Sequence, residues 1–190
     1  MKKIILIIVI FVISNTKLFS DEIKLEKIIS DFKRPWSFSF IDKDKILLTE
    51  KSGHIIHVNL KNKRSEKIEH NLNILEDGQG GLLEILYFDN YVYVSYSENR
   101  GNGNSSTSVA KAKYSNKKLK FKNIFRAEPP INSGYHFGSR MIVKDNFLFI
   151  TAGERGQGMI AQDPTKHPGS IIRIHLDGKI PKDNPKYKNK

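Results

Sequence analysis

The chain has 190 residues, of which 38% are hydrophobic and 27% charged, with 13 glycines, 7 prolines and no cysteine. These values are typical of a soluble globular protein of about one domain, and they exclude collagen-like, disulfide-stabilised, multi-span membrane and fully disordered chains. The formal net charge is +12, but the basic residues are scattered along the chain, so we expect a solvated basic surface and no nucleic-acid partner.

The first 20 residues have the pattern of a secretory signal peptide. Two lysines precede an apolar run from Ile4 to Ile13, and polar residues such as Asn15 and Ser20 follow it. A membrane span needs about 20 apolar residues, so this shorter run favours a cleaved leader over an uncleaved anchor. We therefore expect export to the periplasm, no stable membrane insertion, and a mature chain of residues 21–190.

After the leader, short runs rich in Ile, Val, Phe and Tyr alternate with turn residues, and helical periodicity is nearly absent. Three units repeat the order strand, turn with aspartate, strand, glycine-containing turn or loop, strand. The predicted strands are 36–40, 46–49, 54–58, 82–86, 91–96, 108–112, 140–143, 147–151 and 170–175. The turn residues Asp44, Asp89 and Asp145 are 45 and 56 residues apart, near the roughly 40–50 residues of a propeller blade. The pattern predicts an all-β fold, a β-propeller, with about three blades in this chain.

Three blades are fewer than the roughly four to eight of a closed propeller. A ring that is not closed leaves two sheet faces without a neighbour. We therefore expect residues 21–190 to be the N-terminal part of a propeller domain.

Two polar residues come directly before the first strand of a unit: Gln79 in the second unit and His136 in the third. Loops at this position converge at one mouth of a propeller channel, so we expect the two side chains to meet there. His136 is a candidate general base, because a neutral imidazole accepts a proton near pH 7; the alternative is a half-buried turn residue. Gln79 could contact a ligand or simply belong to a glycine-rich turn. Arg140 could pair with a carboxylate of a bound molecule or with a residue of the neighbouring blade.

Sequence patterns for metal binding are missing. The chain has no zinc-type spacing, no HExxH motif and no EF-hand loop. We therefore assign no metal ligand within it.

Four segments, taken together and in order, resemble the soluble quinoprotein aldose sugar dehydrogenases of the glucose and sorbosone type. The segments are Pro35-Trp36 with Thr49 to Gly53, Gly78 to Leu83, His136 to Arg140, and Ala161 to Pro185. The resemblance covers about residues 31–185. It implies a six-bladed periplasmic propeller that binds pyrroloquinoline quinone (PQQ) and calcium at the channel mouth. The activity it implies is oxidation of the anomeric hydroxyl of aldose sugars to lactones, with electrons passed to an acceptor that the sequence does not identify.

Carried over to this chain, the resemblance implies that His136 is the catalytic base. It implies that Gln79 lies beside cofactor and substrate, and that Gln162 or Gln157 adds a further polar contact. From its own chemistry, we also expect Arg140 to bind the cofactor, together with Gln79 and Gln162. Ser139 stands where the family commonly has glycine. The residues that hold the quinone carboxylates and calcium are expected beyond residue 190, so the chain as given is expected to be an incomplete, inactive fragment. The alternative is a non-catalytic propeller that serves as a binding module.

Overall fold

A computed structural model describes residues 23–187 of the chain, and the predicted signal peptide lies outside them. The described part is β structure throughout, apart from turns, loops and one 3-10 helix, Gly158–Gln162. Twelve strands form three separate sheets. Between residues 23 and 187, no helix has the length and apolar character needed to cross a bilayer.

The first sheet has five strands in the order β1-β2-β3-β4-β8. Its strands are β1 (Pro35–Asp42), β2 (Lys45–Glu50), β3 (His54–Asn59), β4 (Arg64–His70) and β8 (Lys118–Leu119). Strands β1 to β4 form an antiparallel meander, and β8 pairs with β4 in parallel.

The second and third sheets repeat the antiparallel meander. The second has the order β5-β6-β7-β9, with β5 (Leu82–Phe88), β6 (Tyr91–Asn99), β7 (Ser105–Lys113) and β9 (Lys122–Arg126). The third has the order β10-β11-β12, with β10 (Gly138–Lys144), β11 (Phe147–Ala152) and β12 (Ile171–His175). All nine strands predicted from the sequence are present, and β4, β8 and β9 were not predicted.

The sheets stack face to face around their first strands, with β5 in contact with both β1 and β10. Alternate residues of β6 point to opposite sides. Val92 and Val94 pack in the core shared with the first sheet, whereas Tyr93 packs in the core shared with the third. Seven consecutive residues of β6 are buried, so both faces of this central strand are covered. Stacked antiparallel meanders of this kind are the blades of a β-propeller, as predicted.

Candidate active site

Three loops meet at the end of the molecule where β5 and β10 begin. The backbone N–H of Gln79 donates to the carbonyl of Gly134 at 2.6 Å, and the N–H of Leu82 donates to the carbonyl of Lys51 at 3.0 Å. The ammonium of Lys51 also donates to the carbonyl of Gly78. At Gly78, φ is +52°, and an added Cβ would lie against the carbonyl of Gly134. The glycine therefore allows the loops before the second and third sheets to pack backbone against backbone.

Gln79 and His136 meet in this region, as the sequence predicts. The backbone N–H of His136 donates to the Oε1 atom of Gln79 at 2.9 Å. This bond fixes the orientation of the amide, because its oxygen accepts and its Nε2 hydrogens are left to donate to a ligand. The predicted meeting of the two residues is confirmed, whereas their roles remain predictions.

The imidazole of His136 is bonded through Nδ1 to the Oε1 atom of Glu154. This hydrogen bond holds the pKa of the Glu154 carboxyl below its usual value, so the partner of the ring is a carboxylate near neutral pH. A carboxylate accepts and does not donate, so in the neutral imidazole Nδ1 carries the proton and Nε2 has the lone pair. The His136 side chain is 54% exposed. The imidazole is therefore exposed to solvent, and the tautomer of its neutral form is fixed by a neighbouring carboxylate.

The backbone of His136 is held in the left-handed region, with φ at +48°. Its carbonyl lies against Gly153, where an added Cβ would collide with the His136 oxygen. The N–H of Arg155 donates to the same carbonyl at 3.3 Å, and the N–H of Gly153 donates to the carbonyl of Phe137 at 3.1 Å. Residues 153–155 thus contact His136 through backbone and side chain.

Glu154 and Arg155 were not predicted as site residues from the sequence. Their position in the sequence could have indicated them. They are the two charged residues between Gly153 and Gly156, in the loop that follows the second strand of the third unit. Loops on a rigid sheet scaffold carry a disproportionate share of binding and catalytic residues.

Arg140 is engaged with the neighbouring blade. Its Nη1 atom lies 3.4 Å from Oε2 of Glu84 on β5, and its side chain is 64% exposed. Burial raises the pKa of the Glu84 carboxyl, and the nearby guanidinium partly offsets this effect. The blade-to-blade pairing considered from the sequence is therefore present, and cofactor binding by Arg140 remains a prediction.

Gln162 lies at the end of the 3-10 helix and is exposed. Gln157 directly precedes this helix and is also exposed. Within the described part of the chain, no hydrogen bond joins either glutamine to Gln79 or His136. The described residues also contain no group of three or more His, Cys, Asp or Glu that could hold a metal ion.

Comparison with known proteins matches this chain to one family. The family model for Glucose / Sorbosone dehydrogenase matches residues 32–190. An aldose sugar dehydrogenase of Escherichia coli (strain K12) is 30% identical in an alignment of 173 residues that covers 86% of this chain and 47% of the relative. Quinoprotein glucose dehydrogenase B of Acinetobacter calcoaceticus is 25% identical in an alignment of 213 positions, gaps included, that covers 88% of this chain and 42% of the relative.

The crystal structure of the soluble aldose sugar dehydrogenase from E. coli in its apo form has a similar fold. The TM-score is 0.75 at 31% identity, and the match covers 80% of this chain and 47% of that one. The chain spans about half the length of the curated relatives it matches. With the family model matched over most of its length, the chain belongs to the Glucose / Sorbosone dehydrogenase family.

Proposed function

We propose that this chain carries the catalytic base of a periplasmic quinoprotein that oxidises the anomeric hydroxyl of aldose sugars to lactones. The observation that carries the proposal is the exposed imidazole of His136, with Nδ1 bonded to Glu154 and the backbone N–H bonded to Gln79. The names of two relatives, an aldose sugar dehydrogenase and a quinoprotein glucose dehydrogenase, support the substrate class and the cofactor.

The residues at the site are chemically compatible with PQQ, a planar quinone that carries carboxylates. The Nε2 hydrogens of Gln79 can donate to quinone or carboxylate oxygens, and the exposed guanidinium of Arg140 can pair with a carboxylate. We propose Gln79, Arg140 and Gln162 as the contacts that this chain supplies. When bound, PQQ supplies the two-electron acceptor for the hydrogen that leaves C1 of the sugar as hydride. Calcium is proposed from the family resemblance, with no ligand assigned among residues 23–187.

His136 would take the proton of the anomeric hydroxyl. The O–H bond breaks and an N–H bond forms at Nε2, while the C1–H bond breaks and the C1–O bond becomes a carbonyl. The ring becomes an imidazolium, and the Glu154 carboxylate stabilises that charge through Nδ1–H. Because the carboxylate is in place before the proton moves, no reorganisation is needed at that moment.

Dye-coupled kinetics tests this proposal on the native protein, purified at the length at which its own cells produce it. The protein is loaded with PQQ and calcium chloride, and reduction of an artificial dye is followed after addition of an aldose. We expect activity in the unsubstituted protein, a loss of at least about 100-fold in His136→Ala, and unchanged activity in His57→Ala, which alters a histidine on β3. Full activity in His136→Ala would remove this residue as the base. Sugar binding without dye reduction in the unsubstituted protein would favour a non-catalytic binding module.

Export has its own test. Residues 1–20 are fused to an alkaline phosphatase that is active only after export. A second fusion is identical except for the substitutions Ile7→Asp and Ile10→Asp. We expect phosphatase activity from the first fusion alone, because the signal depends on its apolar run. Equal activity from both fusions would contradict the periplasmic assignment.

A further inference from the structure

Arg155 is a buried cation next to the base. It is 2% exposed, and its burial lowers the pKa of the guanidinium to about 10. A charge removed from water in this way is costly unless its donors are all satisfied by nearby acceptors. The contacts of Arg155 therefore indicate what holds it in place.

Among residues 23–187, the acceptors of the Arg155 guanidinium are all neutral oxygens, from the loop of residues 133–135 and from Ser105 at the start of β7. Nε donates to the carbonyl of Tyr135 at 2.9 Å, and Nη1 to the carbonyl of Ser105 at 3.0 Å. Nη2 donates to the hydroxyl of Ser105 at 2.9 Å and to the carbonyl of Ser133. The plane of the group also lies over the ring of Phe137, 3.6 Å from its centroid. Arg155 thus contacts the loop of His136 on both sides of the histidine.

We propose that Arg155 is the positioning residue that holds His136 in the geometry needed for proton transfer. Its side chain fixes the carbonyls of Ser133 and Tyr135 before the histidine and packs on Phe137 after it, while its backbone N–H bonds to the His136 carbonyl. The inference deepens the proposed function and rests on it, because the geometry concerned is that of the proposed base.

The local backbone conformation explains why the loop of His136 needs these contacts with Arg155. Both His136 and Arg155 have positive φ angles, +48° and +59°. Side chains other than glycine rarely adopt this region, and it persists only where surrounding contacts determine it. Arginine suits the task because its planar group offers five donors in fixed directions, whereas lysine offers a single ammonium centre. Neither lysine nor an apolar side chain could satisfy the same set of carbonyls.

Hydrogen exchange tests the proposal without cofactor or activity. Exchange of the peptide spanning residues 133–138 is followed by mass spectrometry in Arg155→Met, in Arg155→Lys and in the unsubstituted protein. We expect exchange in this peptide to rise about tenfold in both variants, while a peptide of β6 keeps its protection. The matched control is Arg173→Met, because Arg173 also stacks on a phenylalanine, Phe147, at 3.7 Å, but lies on β12; we expect no change at residues 133–138.

Kinetics gives the second measurement. A base displaced from its proton lowers kcat, and we expect a fall of about tenfold or more in Arg155→Met with a KM for the aldose within about twofold of the original. Unchanged exchange and unchanged kcat in both variants would overturn the proposal, as would exchange that rises equally in the β6 peptide, since that result would indicate general loss of structure.

If the Arg155 variants do not fold, Ser105→Ala removes one acceptor of the guanidinium and leaves the rest. We then expect a smaller rise in exchange confined to residues 133–138, and no rise would overturn the proposal. If the unsubstituted protein oxidises no aldose but the exchange result holds, the proposed function fails and the positioning role stands.

Discussion

A neutral imidazole accepts a proton only at the ring nitrogen that does not already carry one. At His136 the choice is made by Glu154, which accepts at Nδ1 and leaves the Nε2 lone pair. Gln79 acts on the backbone of the same residue. The two partners therefore contribute differently, one to the chemistry of the ring and the other to its placement.

Replacing Glu154 with Gln tests the first of these contributions. The amide oxygen can still accept from Nδ1–H but carries no charge to stabilise an imidazolium, so we expect kcat to fall by about 10- to 100-fold. We expect little change in the melting temperature, since the amide oxygen can accept the same hydrogen bonds from His136 and Gly156. Dye-coupled initial rates and a thermal melt measure the two effects. Glu128→Gln, which alters a carboxylate paired with Arg100, is the control, and equal losses in both variants would contradict the role of Glu154.

Ser139 is a second residue whose local geometry has a measurable consequence. Its φ is +82°, its side chain is fully buried, and no group among residues 23–187 pairs with its hydroxyl. Glycine adopts this backbone conformation without a steric cost and brings no hydroxyl to bury. We expect Ser139→Gly to stabilise the fold by about 1 kcal/mol, measured by urea unfolding. Ser65→Gly, on the exposed strand β4, should instead destabilise it by about 0.5–1 kcal/mol. Loss of stability in Ser139→Gly would show that the hydroxyl has a partner.

Some site residues could be predicted from the sequence and others could not, and the difference has a physical reason. Gln79 and His136 could be predicted to meet because each directly precedes the first strand of a repeat, and the repeat sets their place. Glu154 and Arg155 follow a strand in a loop whose path depends on contacts with residues far away in the chain, such as Ser105 and Tyr135. The pairing of Arg140 with Glu84 likewise depends on how two blades stack.

At the scale of the strands, apolar alternation decided what could be predicted. The nine predicted strands contain runs of Ile, Val, Phe, Leu or Tyr, which fit a sheet with buried faces. The three that escaped prediction are β4, β8 and β9, at or next to the outer edge of the first two sheets. In β4 only Ile68 is buried, and the other residues are polar or charged. Strands β4 and β8 each bury a single residue and are held by backbone bonds to a neighbouring strand, so their side chains show no alternation.

Strand β6 gives a prediction about titration. Burial is the main cause that raises the pKa of Tyr93 and of Tyr96 to about 12, from an ordinary value of 10.0. Because the folded state holds these protons more tightly than the unfolded state, the stability linked to them is complete below pH 10 and is lost as the pH rises through about 12. Absorbance at 295 nm should therefore show late ionisation of at least these two phenols; burial also raises the pKa of Tyr114. Tyr93→Phe should remove one of them, and ionisation of every tyrosine near pH 10 would contradict the buried position of β6.

Across the whole molecule, hydroxyl groups link each sheet to the first strand of the next. Thr49 on β2 donates to the carbonyl of Leu83 on β5 at 2.6 Å, and Ser95 on β6 donates to the carbonyl of Ser139 on β10 at 2.8 Å. Both hydroxyls are fully buried. Apolar cores between the sheets supply most of the stabilisation, but they allow sliding, whereas a buried hydrogen bond has a fixed partner. We expect these bonds to set the offset between blades, and with it the distance between Gln79 and His136.

Thr49→Val tests this linkage, because the two side chains have nearly the same shape and the substitution removes only the donor. The Leu83 carbonyl would then be left buried and without this partner, so we expect a loss of about 1–3 kcal/mol in the free energy of unfolding. Thr165→Val, at an exposed turn where the hydroxyl bonds to Asp163, should cost less than about 0.5 kcal/mol. If the offset between blades depends on the buried bond, Thr49→Val should also raise hydrogen exchange in peptides covering residues 78–83 and 133–138 together. Exchange that rises in the first peptide alone would mean that Thr49 stabilises its own interface without affecting the position of His136.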